Sequence, residues 1–339
     1  MYIIPLTYLA AVSVLAVVLT GYDKNAAKKQ KWRIKERILI IVALLGGSVA
    51  MLLTMWTIRH KTKHIKFMMG ISIIIMLQAA ICILVFNTSL SVNHHTLKTD
   101  KITAPIKLAL VTDLHSCAYG REQSNLINTL LNEQPDVALL VGDIFDDDIS
   151  PENTIKFIDS IADKIPCYYV TGNHEFWSGK ADEFKDIMLS YDVKVLEGSY
   201  EDVKVRGEKI RICGIDDPHT DRYPSRAISY TDQLQKLNGA SSNEIYTILL
   251  AHRPERIDEY LSLNVDLVLS GHAHGGQWRI PLILENGLFA PNQGLSPKYS
   301  SGLFLFDATT MIVSRGLAKE TTKIPRIFNQ PELVILTLE

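Results

Sequence analysis

The sequence predicts an α/β domain preceded by three transmembrane helices. Three observations predict it. The first 86 residues contain three uncharged apolar stretches. Beyond residue 105, short apolar runs alternate with amphipathic segments. Five clusters of Asp, Asn and His each stand just behind one of those runs.

The apolar stretches are Tyr2–Tyr22, Ile38–Ile58 and Phe67–Phe86, each about 20 residues, the length a helix needs to cross a bilayer. Tyr2, Tyr8, Tyr22, Trp32 and Trp56 lie near their ends, where amphipathic rings prefer the membrane interface. A cleavable signal peptide is a poorer reading of the first stretch, because no basic residue precedes it and two further spans follow. None of the three contains a charged residue, so they read as an anchor and not as a transporter or channel. The expected organisation is an anchor over residues 1–86, a polar linker over 87–105 and one domain over 106–339.

Charge is unevenly spread. Met1 to Leu97 holds eleven Lys/Arg against two Asp/Glu, so of the whole-chain charge of −2 the remainder carries −11. An acidic domain without a basic stripe disfavours extended nucleic-acid binding. Seven basic residues fall between the first two stretches and four between the second and third. Cytoplasmic loops carry the basic excess, which places the large domain on the cytoplasmic side of the cell membrane. Cys117, Cys167 and Cys213, an odd number without paired spacing, form no evident disulfide framework.

In the large domain, Ile106–Val111, Val137–Val141, Cys167–Val170, Ile245–Leu250 and Val265–Leu269 read as buried strands. Helical segments from about Arg121 to Glu133 and from Asn153 to Lys164 lie between them. Strands alternating with helices point to α/β layers. From Gly302 the pattern is strand, turn, strand, which makes the sheet mixed.

The clusters follow these strands: Asp113 and His115, then Asp143, then Asn173 and His174, then His252, then His272 and His274. In α/β sheets ligands gather at the carboxyl ends of strands, so the five can converge on one crevice. Singly, each is as well explained by a turn residue or a helix cap. Together, in the order D-x-H, G-D, G-N-H, H, G-H-x-H, they resemble the signature of the calcineurin-like metallophosphoesterases. The resemblance covers about Ile106 to Glu339.

It implies a two-sheet α/β/β/α sandwich and a metal-dependent phosphoric ester hydrolase with two divalent metal ions, manganese, iron or zinc. By matching position it assigns Asp113, His115, Asp143 and His274 to one ion and Asp143, Asn173, His252 and His272 to the other. It implies in-line attack of a metal-activated water on phosphorus, and it matches His174 to the acid that serves the leaving oxygen; the alternative for His174 is a structural hydrogen bond to a carbonyl. Arg253 is a candidate for holding substrate phosphate, or for a salt bridge to Glu255 or Asp258. Gly276 and Gln277 line the substrate mouth or form a turn into a strand. Asp216-Asp217-Pro218-His219 reads as a solvated turn in preference to a third metal site.

The partners expected are the lipid bilayer and a phosphate ester. Membrane-anchored members of the family resemble enzymes acting on phosphodiester or pyrophosphate bonds of lipid-linked or nucleotide-linked substrates. The competing readings are an inactive metal-binding membrane scaffold and a phosphomonoesterase acting on a soluble substrate.

Overall fold

A computed structural model describes residues 3–223, 228–319 and 324–339. The chain divides into two compact units, Met1–Phe86 and Asn87–Glu339.

The first unit is helical: α1 (Ile3–Lys28), α2 (Glu36–Val42), α3 (Ser48–Thr57) and α4 (Ile65–Val85). Three segments are long and apolar enough to cross a membrane: Leu6–Lys28, Glu36–Thr57 and Ile65–Val85. The second contains a kink between α2 and α3, where Gly46 takes a φ of 113°. A kink frees backbone carbonyls that hydrocarbon cannot satisfy. Gln78 of α4 meets them, its amide donating to Ala43 and Leu44 oxygens at 3.0 Å each, and its own oxygen accepts from the Ser48 hydroxyl at 2.6 Å. Ala16 and Gly47 bring α1 close to the kinked segment, the small-residue contact that lets membrane helices approach. Asp23, at the end of α1, is buried and accepts from His60 at 2.7 Å.

The second unit contains two six-stranded sheets. The first runs β1 (Ser91–Leu97), β2 (Ile106–Val111), β3 (Val137–Val141), β4 (Cys167–Val170) and β5 (Lys194–Val195) in chain order. The second takes β6 (Ser199–Val205), β7 (Glu208–Gly214), β8 (Tyr246–Leu250), β9 (Leu267–Ser270), β12 (Gly302–Phe306) and β13 (Thr309–Val313). A small antiparallel pair, β10 (Phe289–Ala290) and β11 (Gly294–Leu295), stands apart, and β14 (Glu332–Leu338) returns to the first sheet. The spatial orders are β1-β14-β2-β3-β4-β5 and β12-β13-β9-β8-β7-β6. β2 to β5 are parallel, as are β7, β8, β9 and β13, while β14 is antiparallel to β2.

The layers follow from strand alternation. Ile106, Leu108 and Leu110 of β2 and Val137, Leu139 and Val141 of β3 face Ile212, Ile248, Leu250, Leu267 and Leu269 across the gap between the sheets. Ala109, Val111, Ala138 and Leu140 face the other way, onto α5 (Ser124–Asn132), α6 (Glu152–Ile161) and, beyond the short α7 (Asn173–Trp177), α8 (Ala181–Ser190). The second sheet packs its outer face on α9 (Tyr230–Leu237) and α10 (Ile257–Leu261) through Leu237, Ile257, Tyr260, Leu249 and Val268. Strands buried on both faces read as continuous apolar runs, which is why β2, β3 and β8 stand out in the sequence.

One expectation changes. The polar stretch expected as a linker, 87–105, contains β1, paired in parallel with β14 from Ser91↔Glu332 to Leu97↔Leu338. Its partner is almost the whole domain away in sequence, and an edge strand with one solvated face can carry Asn93, His94 and His95, so no local apolar run marks it.

Candidate metal centre

The five clusters meet at the carboxyl edge of the two sheets. Asp113 and His115 follow β2, Asp143 follows β3, Asn173 and His174 open α7 behind β4, His252 follows β8, and His272 and His274 follow β9. The turns are tight. Asp113, His115, Asp143, His272 and His274 all have φ between 47° and 65°, a left-handed conformation that costs a non-glycine residue about 1–2 kcal/mol. Such strain concentrates at functional sites, where the surroundings over-determine the backbone. Two glycines allow the close approach: a Cβ on Gly172 would collide with Asp143 Oδ1, and one on Gly271 with Thr112 and Asp113.

All seven expected ligands are buried. Asp113, His115 and His274 offer donor atoms within 4.8 Å of one another, and so do Asp143, His252 and His272. Asp143 Oδ2 lies 3.1 Å from His252 Nε2 and 3.7 Å from His115 Nε2. The remaining bonds of these side chains fix which atom is left over. His115 Nδ1 bonds Asp146 Oδ2 at 2.9 Å, and His252 Nδ1 faces the Val141 carbonyl at 2.9 Å. Both imidazoles therefore turn Nε2 inward with a lone pair, the orientation that outer partners impose on metal-binding histidines. His115 Nε2, Asp143 Oδ2, Asn173 Oδ1, His252 Nε2 and His274 Nδ1 are buried and lack a hydrogen-bond partner. Each such orphan costs about 1–3 kcal/mol in a closed protein interior, so five converging ones call for a cation. The donor set of imidazole, carboxylate and amide oxygen fits manganese, iron or zinc.

Electrostatics agree. Burial pushes Asp143 upward, but the imidazoles of His252, His174 and His115 outweigh it and hold the carboxyl well below its usual range. Burial, followed by the neighbouring His252 and Arg253 side chains, brings His272 down to about 3. Burial and His115 likewise depress His274. Both shifts favour the neutral ring that a metal ligand presents. Burial disfavours charge on His252, yet Asp143 pushes its pKa up to about 10; the carboxylate favours a cation at His252 Nε2, a proton or a metal ion in its place.

His174 differs from the seven. Its side chain is 20% exposed, and its Nδ1 lies 2.5 Å from Asp147 Oδ1. Its ring meets His115 edge-on at 4.3 Å and tilts over Trp177 at 4.7 Å. Burial lowers its pKa, but Asp143, Asp147 and Asp146 together raise it. The carboxylates around it favour the protonated imidazole, which sits beside the seven expected ligands with Nδ1 turned to Asp147.

A cavity of about 490 Å³ opens over the centre. Asp146, Asp147, Trp177, Phe289, Pro291 and Gln277 join His115, Asp143, Asn173, His174, His272 and His274 in its wall. Gln277 is buried with its side-chain oxygen unpartnered. Gly276 takes a φ of 72° and packs on the backbone of Asn286 and Gly287, so it supports the wall without forming it. Arg253 is absent from that wall. It is 4% exposed, its Nε lies 2.5 Å from Asp217 Oδ2, and its Nη1 lies 3.7 Å from Glu255. Of the two readings of Arg253, the salt bridge describes its surroundings, with Asp217 as the main partner; a bond to phosphate would have to displace it.

The solvated turn expected at Asp216–His219 is overturned. Asp216 and Asp217 are 2% and 1% exposed. Asp216 accepts from Thr171 at 2.6 Å, Lys185 at 2.9 Å and Gln233 at 3.0 Å. Burial raises Asp217, but His219 and Arg253 overcome it and bring it to about 2. A Pro-containing acidic run reads as a turn because its cations come from distant segments.

Sequence reasoning passed over Asp146, Asp147 and Glu175. Glu175 accepts from the backbone nitrogens of Asp143, Ile144, Phe145 and Gly172 at 2.7–3.1 Å, tying two ligand loops together. The signals were present: Asp146 and Asp147 closely follow Asp143, and Glu175 follows His174.

Comparison with known proteins reinforces the geometry. A "Transmembrane protein with metallophosphoesterase domain" of Danio rerio is 30% identical over 218 residues, covering 61% of this chain and 47% of the relative. The chain spans about half the length of this relative and of its Bos taurus counterpart, of which it covers 48%. The "Uncharacterized metallophosphoesterase YkuE" of Bacillus subtilis is 26% identical over 256 residues, covering 73% of this chain and 84% of the relative. Among solved structures, the Haemophilus influenzae NAD nucleotidase aligns with a TM-score of 0.45 and 15% identity over 64% of this chain and 46% of that one. Residues 13–67 match a family described as a protein of unknown function, DUF1294. Residues 106–276, half of the chain, match the calcineurin-like phosphoesterases, and with the ligand pattern intact at the sheet edge the chain belongs to that family.

Proposed function

We propose that the chain hydrolyses a phosphodiester or pyrophosphate bond in a lipid-linked or nucleotide-linked substrate, at a centre that takes two divalent metal ions. The observation that carries this reading is the set of five buried, unpartnered donor atoms turned toward one another. Asp113, His115, Asp143 and His274 would hold one ion and Asp143, Asn173, His252 and His272 the other, with Asp143 common to both. Ions of manganese, iron or zinc supply the positive charge that draws in phosphate and the Lewis acidity that makes water a nucleophile near neutral pH.

The chain's own residues do the rest. A water that has given up one proton to solvent bonds through its oxygen to phosphorus as the bond to the leaving oxygen breaks. The leaving oxygen takes a proton from His174 Nε2, which solvent then replaces, while Asp147 holds Nδ1 and the surrounding carboxylates favour the protonated ring. Gln277 offers its free amide oxygen to the substrate. Arg253 acts here through Asp217, on the shape of the His252 loop. Trp177, Phe289, Pro291 and Ile324 give the cavity an apolar side larger than a bare phosphate needs, which supports a substrate with a bulky apolar or planar group.

The test is hydrolysis by the full chain in detergent against phosphomonoesters, diesters and lipid or nucleotide pyrophosphates, before and after chelation. We expect turnover of a diester or pyrophosphate that a chelator abolishes and manganese restores. A metal-loaded protein that cleaves none of them would leave the scaffold reading; one that cleaves only monoesters would replace the bond class.

We further place the catalytic unit on the cytoplasmic side of the membrane. The basic excess of the first inter-span loop supports this, and so do Cys117, Cys167 and Cys213, buried and outside any disulfide. A reporter fused after Glu339 should fluoresce as green fluorescent protein and be inactive as alkaline phosphatase. The reverse pattern overturns the orientation.

A further inference from the structure

The second unit carries an apolar projection whose exposed tip the chemistry above does not use. Between Arg279 and Pro297 the chain leaves the sheets and exposes Leu282 at 92%, Ile283 at 80% and Leu295 at 73%, with Ile280 and Phe289 less so. Single exposed leucines are ordinary; a contiguous group is not. These belong together. Ile280 bridges to Leu284, Phe289 pairs with Leu295, and Leu282, Ile283 and Leu284 share a recess with Ser296 and Pro297. The run Ile280-Pro-Leu-Ile-Leu284 contains no charge. Leu282, at its tip, has a φ of 69°, a strained conformation for a side chain that meets almost nothing of its own protein.

The projection is anchored to the metal centre. Leu288 N donates to the oxygens of Gly276 and Trp278 at 2.9 Å, and Arg279 N donates to Ile327 O at 2.9 Å. Asn292 Oδ1 lies 3.4 Å from His272 Nε2. Phe289 and Pro291 line the cavity over the ligands. Phe289 of the cavity wall pairs with Leu295, and the residues after Leu295, Ser296 and Pro297, share their recess with Leu282, Ile283 and Leu284 of the exposed tip.

Topology says what that tip meets. β14 is antiparallel to β2, with Val334 opposite Leu110, and β1 is parallel to β14, with Ser91 opposite Glu332. Ser91, the first residue of β1, thus stands at the carboxyl end of β2, the edge that bears Asp113 and His115. Asn93, His94 and His95 share a recess with Arg279, the base of the projection. Only Phe86 to Leu90 separate Ser91 from the last apolar helix, which ends at Val85. The chain coming from the anchor therefore enters the catalytic unit at its metal-bearing edge, beside the projection.

We propose that Ile280–Leu295 is a lipid-contacting element: Leu282, Ile283 and Leu295 enter the same bilayer that holds the anchor, so that the cavity mouth opens at the lipid surface. The tether keeps a bilayer permanently at high effective concentration, and in sequence the apolar stretch is bracketed by Arg279 at its base and Lys298, with Glu285 the one acid between them, a basic balance suited to an interface with anionic headgroups. Contact requires no catalysis; only its benefit to a lipid-linked substrate rests on the proposed reaction.

The experiment is a nitroxide label in the full chain, reconstituted into vesicles of phosphatidylcholine and phosphatidylglycerol. Leu282→Cys, Leu295→Cys and, as an aqueous control, Leu189→Cys on α8 are each made in a Cys82→Ser background. Power saturation then compares access by oxygen, which concentrates in lipid, with access by a water-soluble nickel chelate. We expect the Leu282 and Leu295 labels to be several-fold less accessible to the chelate than the Leu189 label, and more accessible to oxygen. Chelate access equal to the control overturns the proposal. So does dipolar broadening between labels on two copies, which would make a second chain the occupant. Because no turnover is measured, a shielded tip on a protein that hydrolyses nothing retains this inference and fails only the proposed reaction.

Discussion

Two buried clusters of acids and bases lie close together in the catalytic unit, and they differ in one respect. At the metal centre, His115, Asp143, Asn173, His252 and His274 leave donor atoms buried and unpartnered. A few residues away, Asp216 and Asp217 are as deeply buried, yet each is closed by a protein cation, Lys185 for the first and Arg253 for the second. Residue types and burial do not distinguish the two. Satisfaction does. A buried charge must be paired or must bind a metal, and only one of these clusters lacks its pair.

That contrast can be broken by mutation. The largest effect is expected for Asp143→Asn, which removes the shared carboxylate. Elemental analysis should find both ions lost and hydrolysis at background, whereas Asp113→Asn should weaken mainly one ion. Two ions retained after Asp143→Asn would disprove the assignment. Next, His174→Ala should keep the metals and slow turnover by about 10²–10⁴-fold, the usual contribution of a positioned acid. The loss should shrink for a nitrophenol leaving group, which needs no proton; an equal loss for all leaving groups would remove His174 from that role.

The smallest effect on chemistry, and the sharpest test of the contrast, comes from Asp217→Ala. It leaves the Arg253 guanidinium buried without its main partner, and breaking such a pair costs about 3–5 kcal/mol. Chemical denaturation should show a loss of that order, while metal content in the folded protein is retained. A variant as stable as the parent would mean that Arg253 finds water or another acid, and that the second cluster is less closed than its distances suggest.

How much of this was legible in the sequence depended on distance along the chain. Asp113, His115, Asp143, His272 and His274 each follow an apolar run within a few residues, so strand and ligand were visible together. Glu175 was adjacent to a recognised residue but silent, because its work is to accept from four backbone nitrogens that only the fold assembles. Asp216 and Asp217 were misread as solvated because Lys185 and Arg253 lie 31 and 36 residues away. β1 was invisible for the same reason. Its residues are polar, and its register is set by a partner some 240 residues later. The helical anchor was the easiest to see, since length and lack of charge suffice, but the kink at Gly46 and its relief by Gln78 were not.

The position of β14 also orders events during synthesis. It lies between β1 and β2, so the strand that follows the anchor cannot join the catalytic sheet until residues 332–338 have left the ribosome. The apolar helices emerge first and can enter the membrane while the sheet still has a gap. Until the gap closes, β2 presents an unpaired flank of the kind that invites mispairing with other chains. A chain released before residues 332–338 are made would therefore be an inserted anchor carrying an open sheet, and the cell would meet it as a quality-control substrate before it ever met it as an enzyme.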